Sequence, residues 1–547
     1  MEARNRKLED WFIAIRGGFI ALPRFQRFEA WAHQQVSSLL DTVFQELPAG
    51  AVLTLDVGDE QPFISRAVVG APELSEKLNE YLLDGQQRLT SLWRSLHNDY
   101  EDRTYFVRAN DDGSFETISQ SRWLKKDKLF PVWANDPVEQ WDRNLIPVDL
   151  LCPGSKGEQK FNEWVEQVCA ADQKDQINLF KIITKLRNLV SGFNIPFLSL
   201  PRTTPKDTAL NVFIQMNTSS SPLTAYDIVV AQVEAGTGQS LHDLVDDIKL
   251  SAPNAENYMN PADWALAVGA LLLHKTPTRA AYLEASYSDG LIENWERVKK
   301  GIRRASDFLA EQNIFDNQRL ATDVVLYPLA ALWAGVPDGL DDEGKARVIL
   351  KKYLWRAFFT ERYERTSATR ALFDYREMTQ FLGGNLNTTP LVFDDDQFPL
   401  PTEEELKLAA WPKRRDRLPR AMLALSLTGG AFDFADGSAV TRENIQKREY
   451  HHLFPDAWLT KQEYSPREIY ITLNCGLVTW KTNRNMAAKA PSVYLEERLD
   501  TDIGEQEIER RLSSHLIEHA DMISDDYGVF IDNRAKAMHT AMMDICS

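Results

Sequence analysis

Apolar positions in the first part of the chain follow two different periods and predict a mixture of helices and strands. They recur at three and four positions in AWAHQQVSSLLDTVFQEL, which is typical of an amphipathic helix, and alternate in AVLTLDV, which is typical of a strand. A short strand is predicted at YLLD, and it leads directly into the helical pattern of GQQRLTSLWRSLH. Further strands are predicted at TYFVRA and at NIPFLSLP, which we expect to return to the same sheet.

The pattern becomes largely helical between Asn178 and about Phe381. The same apolar stripe is present in INLFKIITKLRNLVSGF, PADWALAVGALLLH, DVVLYPLAALWAGV and KARVILKKYLWRAFF. We assign no chemistry to RYERTSATRALFDY, which lies in this region. The loop that follows, GGNLNTTPLVFDDDQFPLPTEEE, is rich in turn residues and acids, which predicts a linker. We therefore expect three domains, at 1–235, 236–400 and 401–547.

Composition excludes several classes of protein. The 547 residues are 44% hydrophobic and 10% aromatic, which is enough to build cores and is unlike a disordered chain. Apolar runs such as WALAVGALLL are too short to cross a bilayer, and Arg16 interrupts the apolar N-terminal segment. We therefore expect no signal peptide, no membrane anchor and a cytoplasmic location. No CxxC pair occurs among the four cysteines, which argues against a zinc site or a disulfide framework.

The distribution of charge leaves room for a nucleic-acid partner, although the net charge is −18. Phosphate binding needs cations, so an acidic chain usually argues against such a partner. From Trp411 to Ala490, however, 13 Lys and Arg residues stand against 8 Asp and Glu, a local charge of +5. From Pro491 to Ser547 the counts are 5 and 13, or −8, which predicts an acidic C-terminal tail. The basic window fits either a DNA-binding groove or a solvated helical face.

Two adjacent histidines, His451 and His452, stand in REYHHLFPDAW at the predicted end of a strand. Downstream, ITLNCGLVTW predicts a turn followed by a strand, and KTNRNMAAKAPSVYLEERL predicts the start of a helix. A β-hairpin backed by a helix brings His452, Asn474 and Asn483 to one side. We therefore treat these residues as parts of one candidate site.

These residue types suit the hydrolysis of a phosphodiester. A neutral histidine can remove a proton from water near pH 7. A hard divalent cation, held by a second histidine and an amide oxygen, can polarise the phosphate and stabilise the departing oxygen. Another asparagine can orient the general base by accepting its other ring N–H.

The segments HHLFP, NCGLV and TNRNMAAKAPSVYL together resemble the HNH, or ββα-metal, nuclease motif, and in particular the C-terminal domain of GmrSD-type restriction enzymes. The resemblance implies Mg²⁺ or Mn²⁺ as the cofactor, with His452 as general base and Asn474 as the amide that orients it. It makes His451 and Asn483 the metal ligands. The family usually has Gly-Asn where this chain has Ala487 and Ala488. The cations that we expect to contact DNA are Lys413, Arg414, Arg415, Arg484 and Lys489.

A competing metal candidate is the pair His515 and His519 in SSHLIEHADM. Their i, i+4 spacing would place both on one face of a helix, as a zinc-binding helix requires. Glu518 is not placed as in HExxH, however, and no third ligand is evident. A surface helix is the interpretation that we prefer for this segment.

A second signature is LLDGQQRLTSL, in which a predicted strand turns at Asp84 and Gly85 into a helix. Glycine allows close approach of the backbone, and free N–H groups at a helix N-terminus favour anions. Arg88 can bind a phosphate with two hydrogen bonds. These features indicate a phosphate site without the Walker pattern, and an ordinary capped strand–helix turn explains them as well.

Together with LPRFQRFEAW before it and VFIQMNTSSSPLTAYDIV after it, DGQQR resembles the N-terminal domain of GmrSD-type enzymes. That domain has a ParB/sulfiredoxin-like α/β core associated with nucleotide binding and hydrolysis. The resemblance implies an α+β, multidomain chain with this core, a helical middle and a C-terminal HNH domain. Asn217 would close the nucleotide site, although a capping turn explains it equally well. The residues that would line the site are Gln26, Arg27, Asp84, Gly85, Gln86, Gln87 and Arg88.

The resemblance implies a modification-dependent DNA endonuclease of antiphage defence, controlled by binding or hydrolysis of a nucleoside triphosphate (NTP). We expect modified phage DNA as its partner and no membrane. A homodimer is a geometric expectation, because two sites related by symmetry can cut both strands. One alternative is a nucleotide-gated DNA-binding or scaffold protein whose HNH fold only docks a partner. Another is an NTP-regulated nicking toxin that ignores DNA modification. The sequence does not name the modification or the nucleotide.

Overall fold

A computed structural model of the 547-residue chain gives the fold. It describes residues 2–24, 26, 29, 31–58, 61–110, 113–168, 173–205, 208–209, 211–213, 225–237, 239–284, 286–384, 389–412, 416–499 and 504–547. Contacts divide the chain into two compact units, 1–241 (unit 1) and 242–547 (unit 2). The predicted boundary at 235 lies close to this division, and the predicted boundary at 400 stays a prediction.

Unit 1 contains a mixed six-stranded sheet with the strand order β1-β11-β3-β5-β2-β4. The strand predicted at NIPFLSLP is β11, which pairs with β1 and with β3, so its return to the N-terminal sheet is confirmed. Strands β2 and β5 are parallel neighbours, and their carboxyl ends therefore lie at one edge. The strands of unit 1 are β1 (Glu2–Lys7), β2 (Ile20–Pro23), β3 (Val52–Asp56), β4 (Ser65–Arg66), β5 (Glu80–Asp84), β6 (Arg103–Ala109), β7 (Phe115–Ser121), β8 (Trp123–Lys125), β9 (Lys128–Phe130), β10 (Leu145–Pro147) and β11 (Asn194–Leu200).

Helices pack on this sheet through the apolar stripes that the sequence predicts. The side chains of Trp11, Phe12 and Leu89 are completely buried in the resulting core. Burial of such large side chains is the main favourable term in folding. The helices of unit 1 are α1 (Leu8–Arg16), α2 (His33–Phe44), α3 (Gln86–His97), α4 (Pro137–Trp141), α5 (Ser155–Val168), α6 (Gln173–Gly192) and α7 (Ala225–Thr237).

The first part of unit 2 is helical, as the apolar pattern predicts. Two of its helices, α9 and α13, are apolar on nearly every side and are almost wholly buried. A helix of this kind forms the centre of a helical domain rather than its surface. The helices of this part are α8 (Leu241–Ser251), α9 (Pro261–Leu272), α10 (Arg279–Tyr282), α11 (Tyr287–Glu293), α12 (Trp295–Glu311), α13 (Leu326–Gly335), α14 (Leu340–Phe359) and α15 (Ser367–Leu382).

The segment RYERTSATRALFDY forms a buried hydrogen-bond network within these helices. Asp374 is fully buried and accepts hydrogen bonds from Arg362 and from the hydroxyl of Tyr363, which also contacts the hydroxyl of Tyr353 at 2.5 Å. A buried carboxylate is tolerated when such donors surround it. The segment therefore has a structural role.

The predicted linker is anchored where the structure describes it. Arg356, which is 3% exposed, donates to the carbonyls of Val392 and Phe398 and to the carboxylate of Asp395. A buried arginine that bridges three groups of one segment fixes that segment on the helical core. Residues 389–402 are thus packed rather than extended between domains.

The last part of unit 2 holds a two-stranded antiparallel sheet surrounded by short helices. Its strands are β12 (Arg448–His452) and β13 (Cys475–Thr479). The helices are α16 (Glu403–Lys407), α17 (Arg417–Leu425), α18 (Asp456–Lys461), α19 (Pro466–Ile469), α20 (Trp480–Met486), α21 (Pro491–Leu499), α22 (Glu505–Ser513), α23 (His519–Ile523) and α24 (Tyr527–Cys546).

The predicted acidic tail is folded where the structure describes it. Leu512, Met522 and Phe530 are buried and belong to the same apolar cluster as Leu453 and Phe454, which follow the paired histidines. This stretch is therefore part of the core beneath the small sheet. Across the described chain, every helix is too short or too polar to pass through a bilayer.

Candidate functional site

The paired histidines end β12, and β13 runs beside them in the opposite direction. His451 lies opposite Gly476 and His452 opposite Cys475 in the register of the sheet. Helix α20 begins directly after β13. The structure thus brings two antiparallel strands and a helix together around the candidate residues.

His452 is enclosed by aromatic rings. The centroid of its imidazole lies 4.2 Å from that of Trp411 and 4.7 Å from that of Tyr470, and its side chain is 8% exposed. Burial, with a smaller contribution from the neighbouring His451, lowers the pKa of His452 to about 4. The ring is therefore neutral at pH 7. Its Nε2 is buried and has no hydrogen-bond partner among the described residues, so a water molecule or ligand is needed to satisfy it.

A second group of polar side chains lies at the other face of β12. Successive residues of a strand point to opposite faces, so Glu449 and His451 share one face. Asn483 on α20 donates from Nδ2 to Oε2 of Glu449 at 3.2 Å. The structure therefore brings Asn483 to the face that holds His451, and it adds the carboxylate of Glu449, which was not among the predicted metal ligands.

The ring of His451 is oriented by the backbone. Its Nδ1 lies 3.2 Å from the carbonyl oxygen of His452, and with Nδ1 as the donor the lone pair is on Nε2. Metal-ligating histidines usually donate the opposite N–H in this way. The imidazoles of His451 and His452 have their centroids 5.9 Å apart.

Helix α20 is held in place by Asp433, which is fully buried. Oδ2 accepts from the backbone N–H of Thr479 at 2.7 Å, and Oδ1 accepts from the hydroxyl of Thr482 at 2.6 Å. Burial raises the pKa of Asp433, but the hydrogen bonds from Thr482 and from the backbone outweigh burial and lower it overall. Asp433 therefore remains ionised and fixes the helix that carries Asn483.

Asn474 is fully buried and braces the segment after the histidines. Its Oδ1 accepts from the N–H of Phe454 at 2.8 Å, while Nδ2 donates to the carbonyls of Phe454 and Ile469. These bonds differ from the predicted role, in which Asn474 accepted a ring N–H of His452. The amide orients the chain that follows His452, and the ring is held by aromatic packing.

Arg534 on α24 fixes the backbone on both sides of Asn474. It donates to the carbonyls of Leu473 at 2.5 Å and Cys475 at 3.0 Å, and also to that of His515. The side chain is 2% exposed, and burial lowers the pKa of Arg534 to about 10. The start of β13 therefore depends on a cation from the last helix.

Two of the predicted DNA-binding cations lie near this site in the chain. Arg484 follows Asn483 on α20, and its guanidinium lies 4.7 Å from the centroid of the ring of Trp480, which is 57% exposed. Lys489 is paired with Glu497 at 2.6 Å. An exposed pair of this kind contributes little stability and can exchange for a phosphate. The remaining three, Lys413, Arg414 and Arg415, lie outside the described residues.

The surface-helix interpretation of His515 and His519 is wrong. Helix α22 ends at Ser513 and α23 begins at His519, with Leu516 at a φ of +60° between them. Both histidines are buried, and Nε2 of His515 lies 3.0 Å from the carbonyl oxygen of Phe432. The i, i+4 spacing therefore does not place the two rings on one helix.

His519 faces two other side chains. Its Nδ1 lies 3.9 Å from a carboxylate oxygen of Glu505 and 3.9 Å from one of Glu509. Three potential ligand atoms thus lie within 4.8 Å of one another, but both glutamates are exposed. Exposed acidic groups are common without a bound ion.

In unit 1 the DGQQR segment forms the turn between β5 and α3. Gly85 has a φ of +90°, and a Cβ at this position would lie 2.6 Å from Cγ2 of Val52, so glycine is required here. Arg88 donates to Asp84 at 3.1 Å and to the carbonyl of Ala49 at 2.9 Å. Its guanidinium is thus held at the turn, and binding of a phosphate requires that one of these bonds be exchanged.

Other predicted nucleotide-binding residues lie at the same turn. Gln26 is 3% exposed and donates to the carbonyls of Leu82 and Leu83, directly before Asp84. Its Oε1 is buried and has no donor within the described chain. Gln86 is buried and Gln87 is half-buried at the start of α3. Arg27 and Asn217 lie outside the described residues.

Two arginines that were not among the predicted nucleotide-binding residues, Arg24 and Arg66, lie near Gln26. Arg66 donates to the carbonyl of Gln26 at 3.1 Å. Burial, together with repulsion from the nearby Arg24, lowers the pKa of Arg66 to about 10. An anion bound near these arginines would reduce that repulsion. Arg24, in LPRFQRFEAW, directly follows β2, and the parallel pairing of β2 with β5 places it near the turn that follows β5.

Comparisons with known proteins add two findings. Residues 8–234 match the family model of the GmrSD restriction endonuclease N-terminal domain. The chain is also 22% identical to an uncharacterized protein of Methanocaldococcus jannaschii, in an alignment over 591 residues that covers 97% of each chain. The predicted resemblance to GmrSD-type enzymes is thereby supported for residues 8–234, and it indicates a restriction-type nuclease. The resemblance of the last domain to HNH nucleases stays a prediction.

Proposed function

We propose that this protein is a restriction-type DNA endonuclease in which unit 2 hydrolyses phosphodiester bonds and unit 1 binds an NTP that controls the reaction. The observation that carries the proposal is the placement of His451 and Asn483 at one face of β12, where Asn483 bonds to Glu449. The buried ring of His452 is the next residue of the same strand. The family match of residues 8–234 supports the same class of enzyme from the other end of the chain.

The residues at the outer face of β12 fit a hard divalent cation. The carboxylate of Glu449, the amide oxygen of Asn483 and Nε2 of His451 would hold it, and such a mixture of oxygen and imidazole donors suits Mg²⁺ or Mn²⁺. When bound, such a cation supplies Lewis-acid stabilisation of charge on the phosphate and the departing oxygen. Glu449 keeps Asn483 on this face through their hydrogen bond.

His452 supplies the proton acceptor. Burial keeps the pKa of His452 low and its ring neutral at physiological pH, so a ring nitrogen has a lone pair available for a proton of the attacking water. The aromatic side chains of Trp411 and Tyr470 fix the plane of the imidazole. Arg484 and Lys489 provide positive charge for the DNA backbone.

Unit 1 is proposed to bind the triphosphate at the DGQQR turn. The features that support this are the glycine turn at Gly85, the orphaned Oε1 of Gln26 and the two mutually repelling arginines, Arg24 and Arg66. Modified phage DNA as the trigger follows from the resemblance to GmrSD-type enzymes alone. An NTP-governed two-state element would keep the nuclease inactive on host DNA.

The test is cleavage of plasmid DNA, either unmodified or carrying modified cytosines, with Mg²⁺ or Mn²⁺ and with or without NTP. His452→Ala is expected to lower the rate at least a hundredfold, the loss typical of a general base. A matched control is His539→Ala, which removes a half-buried histidine 4.0 Å from Glu403. Equal loss in both variants would contradict the assignment of His452.

Comparing the two DNAs, with and without NTP, distinguishes the proposed enzyme from the nicking enzyme and from the scaffold protein. Cleavage of modified DNA alone supports a modification-dependent enzyme, and equal cleavage of both DNAs indicates a nicking enzyme without that preference. Binding of DNA without cleavage under any condition would favour the scaffold protein. A rate that does not change with NTP would overturn the regulatory role of unit 1.

A further inference from the structure

A cavity of about 920 Å³ lies next to His452 in unit 2. Four aromatic side chains line it, those of Trp411, Tyr464, Tyr470 and Tyr527. Two of the four, Trp411 and Tyr470, also contact the imidazole of His452. The cavity and the candidate general base therefore share two walls.

The walls of the cavity are held by hydrogen bonds. The backbone N–H of Trp411 donates to the carbonyl of Tyr470 at 2.8 Å, and the hydroxyl of Tyr470 donates to the carboxylate of Asp456 at 2.7 Å. The hydroxyl of Tyr527 donates to the carbonyl of Glu468 at 2.6 Å. A pocket whose aromatic residues are already fixed loses little conformational entropy when a ligand binds.

Charged side chains of both signs also line the cavity. Lys407 is paired with Asp532 at 2.9 Å, and Arg467 and Glu468 complete the set. Flat aromatic faces with donors and acceptors around them suit a planar heterocycle whose edge carries both kinds of group. In a nuclease, the nucleobase is the part of the substrate with that chemistry.

We propose that the cavity receives a nucleobase turned out of the DNA duplex, from a nucleotide adjacent to the phosphodiester at His452. The inference rests on the proposed nuclease function, since only DNA with its reacting phosphate at His452 brings a neighbouring base to Trp411 and Tyr470. Stacking on aromatic side chains offsets the loss of stacking in the duplex. The volume accommodates a base together with its sugar.

Gly528 offers a way to fill the cavity without disturbing His452. It lines the cavity on α24, and a Cβ built there meets only Oδ1 of Asp526, at 3.5 Å. Gly528→Trp is therefore expected to fold and to occupy the space of the base. The matched control is Gly344→Trp on α14, where a Cβ has no neighbour within 4 Å. Gly344 does not line the cavity.

The probe is duplex DNA with 5-iodouracil in place of thymine, bound by the full chain carrying His452→Ala. Binding is measured by fluorescence anisotropy, and photo-cross-linked peptides are identified by mass spectrometry. We expect adducts on the four aromatic residues. Gly528→Trp should reduce them at least about tenfold and Gly344→Trp should leave them unchanged, because only the first fills the stacking site.

The outcomes distinguish failure of the base pocket from failure of the nuclease function on which it rests. If DNA binds but every adduct lies away from the four aromatic residues, the base pocket is overturned and the nuclease function stands. If Gly528→Trp in the otherwise wild-type chain cleaves DNA as fast as wild type, the pocket is also overturned. If the wild-type chain neither binds nor cleaves DNA, both proposals fail.

Discussion

Oδ1 of Asp433 accepts a hydrogen bond of 2.6 Å from the hydroxyl of Thr482, a residue 49 positions further along the chain. Its other oxygen accepts from the N–H of Thr479, so one carboxylate holds both the end of β13 and the first turn of α20. The position of Asn483 at the candidate metal site is therefore set by a carboxylate that bonds to Thr479 and Thr482.

Removal of this carboxylate is expected to loosen the site. Asp433→Ala leaves several donors without their acceptor and should lower the free energy of unfolding by roughly 3 kcal/mol. It should also weaken Mn²⁺ binding about tenfold, as loss of an orienting partner typically does. Denaturant unfolding and calorimetric titration with Mn²⁺ check the two effects. The control is Asp436→Ala, an exposed neighbour that accepts from Ser438. Similar losses in the two variants would contradict this role.

Asn474 is expected to behave as a structural residue. Asn474→Ala removes an acceptor for Phe454 and a donor for Ile469 in a fully buried position, which should cost about 3 kcal/mol of folding stability. His452→Ala should instead lower the rate of cleavage at least a hundredfold with a smaller loss of stability, because it removes ring contacts and leaves no buried backbone group without its partner. Unfolding and cleavage measured on both variants separate the roles. An Asn474→Ala variant as stable as wild type would contradict the structural role of Asn474.

The turn after α20 carries a strained alanine. Ala487 has φ +45° and ψ −119°, a conformation that glycine adopts easily and alanine does not. Ala487→Gly is therefore expected to stabilise the protein by about 1 kcal/mol, despite the greater freedom that glycine gives the unfolded chain. At Ala488 the same substitution should be neutral or slightly destabilising. Equilibrium unfolding in urea measures the stability of both variants. A destabilised Ala487→Gly variant would contradict the backbone strain assigned to Ala487.

Acid is expected to destabilise unit 2 through buried histidines. Burial lowers the pKa of His515 from 6.5 to about 4, so the folded state keeps the ring neutral. Its contribution to stability is complete above about pH 6.5 and decreases as the pH falls toward 4, by up to about 1.4 kcal/mol per pH unit. His452 adds a similar dependence. Urea unfolding between pH 7 and pH 5 should show a shallower slope for His515→Gln than for wild type, and equal slopes would contradict the assignment.

Gly85 is expected to be indispensable to unit 1. Gly85→Ala would place a Cβ at a φ of +90° and 2.6 Å from Cγ2 of Val52. The free energy of unfolding of unit 1 should therefore fall by about 2 kcal/mol or more, and NTP binding should be lost. Gly113→Ala is the control, since its φ is +82° but nothing lies within 4 Å. Fluorescent-nucleotide titration and thermal unfolding measure the effects. Equal behaviour of the two variants would exclude the contact with Val52 as the cause.

Much of the fold follows from periodicity and from the order of the elements. The alternation in AVLTLDV and the helical spacing of GQQRLTSLWRSLH correspond to β3 and α3. The pattern fails where a residue with a positive φ interrupts a helix. Leu516 separates α22 from α23 in a segment predicted as one surface helix, and Ala487 ends α20 within the segment predicted to start a helix. Such breaks depend on packing that hydropathy does not encode.

The candidate site could be predicted only as far as its local segments. His451, His452 and Asn483 belong to recognisable stretches, and the strand–strand–helix order explains why Asn483 lies beside the strand that carries both histidines. Asp433 and Arg534 could not have been found in this way, because they come from distant segments and act on backbone groups. Glu449 could have been suggested by strand alternation alone, since it stands two residues before His451 in the predicted strand and must share its face.

The position of Arg534 in the last helix has a consequence for synthesis of the protein. The backbone on both sides of Asn474 is fixed by the guanidinium of Arg534, a residue that the ribosome adds more than fifty positions later. A nascent or prematurely ended chain that stops before Arg534 therefore contains the whole histidine–asparagine motif but lacks the group that shapes it. Under the proposed function, a chain released before Arg534 would therefore lack a competent nuclease site.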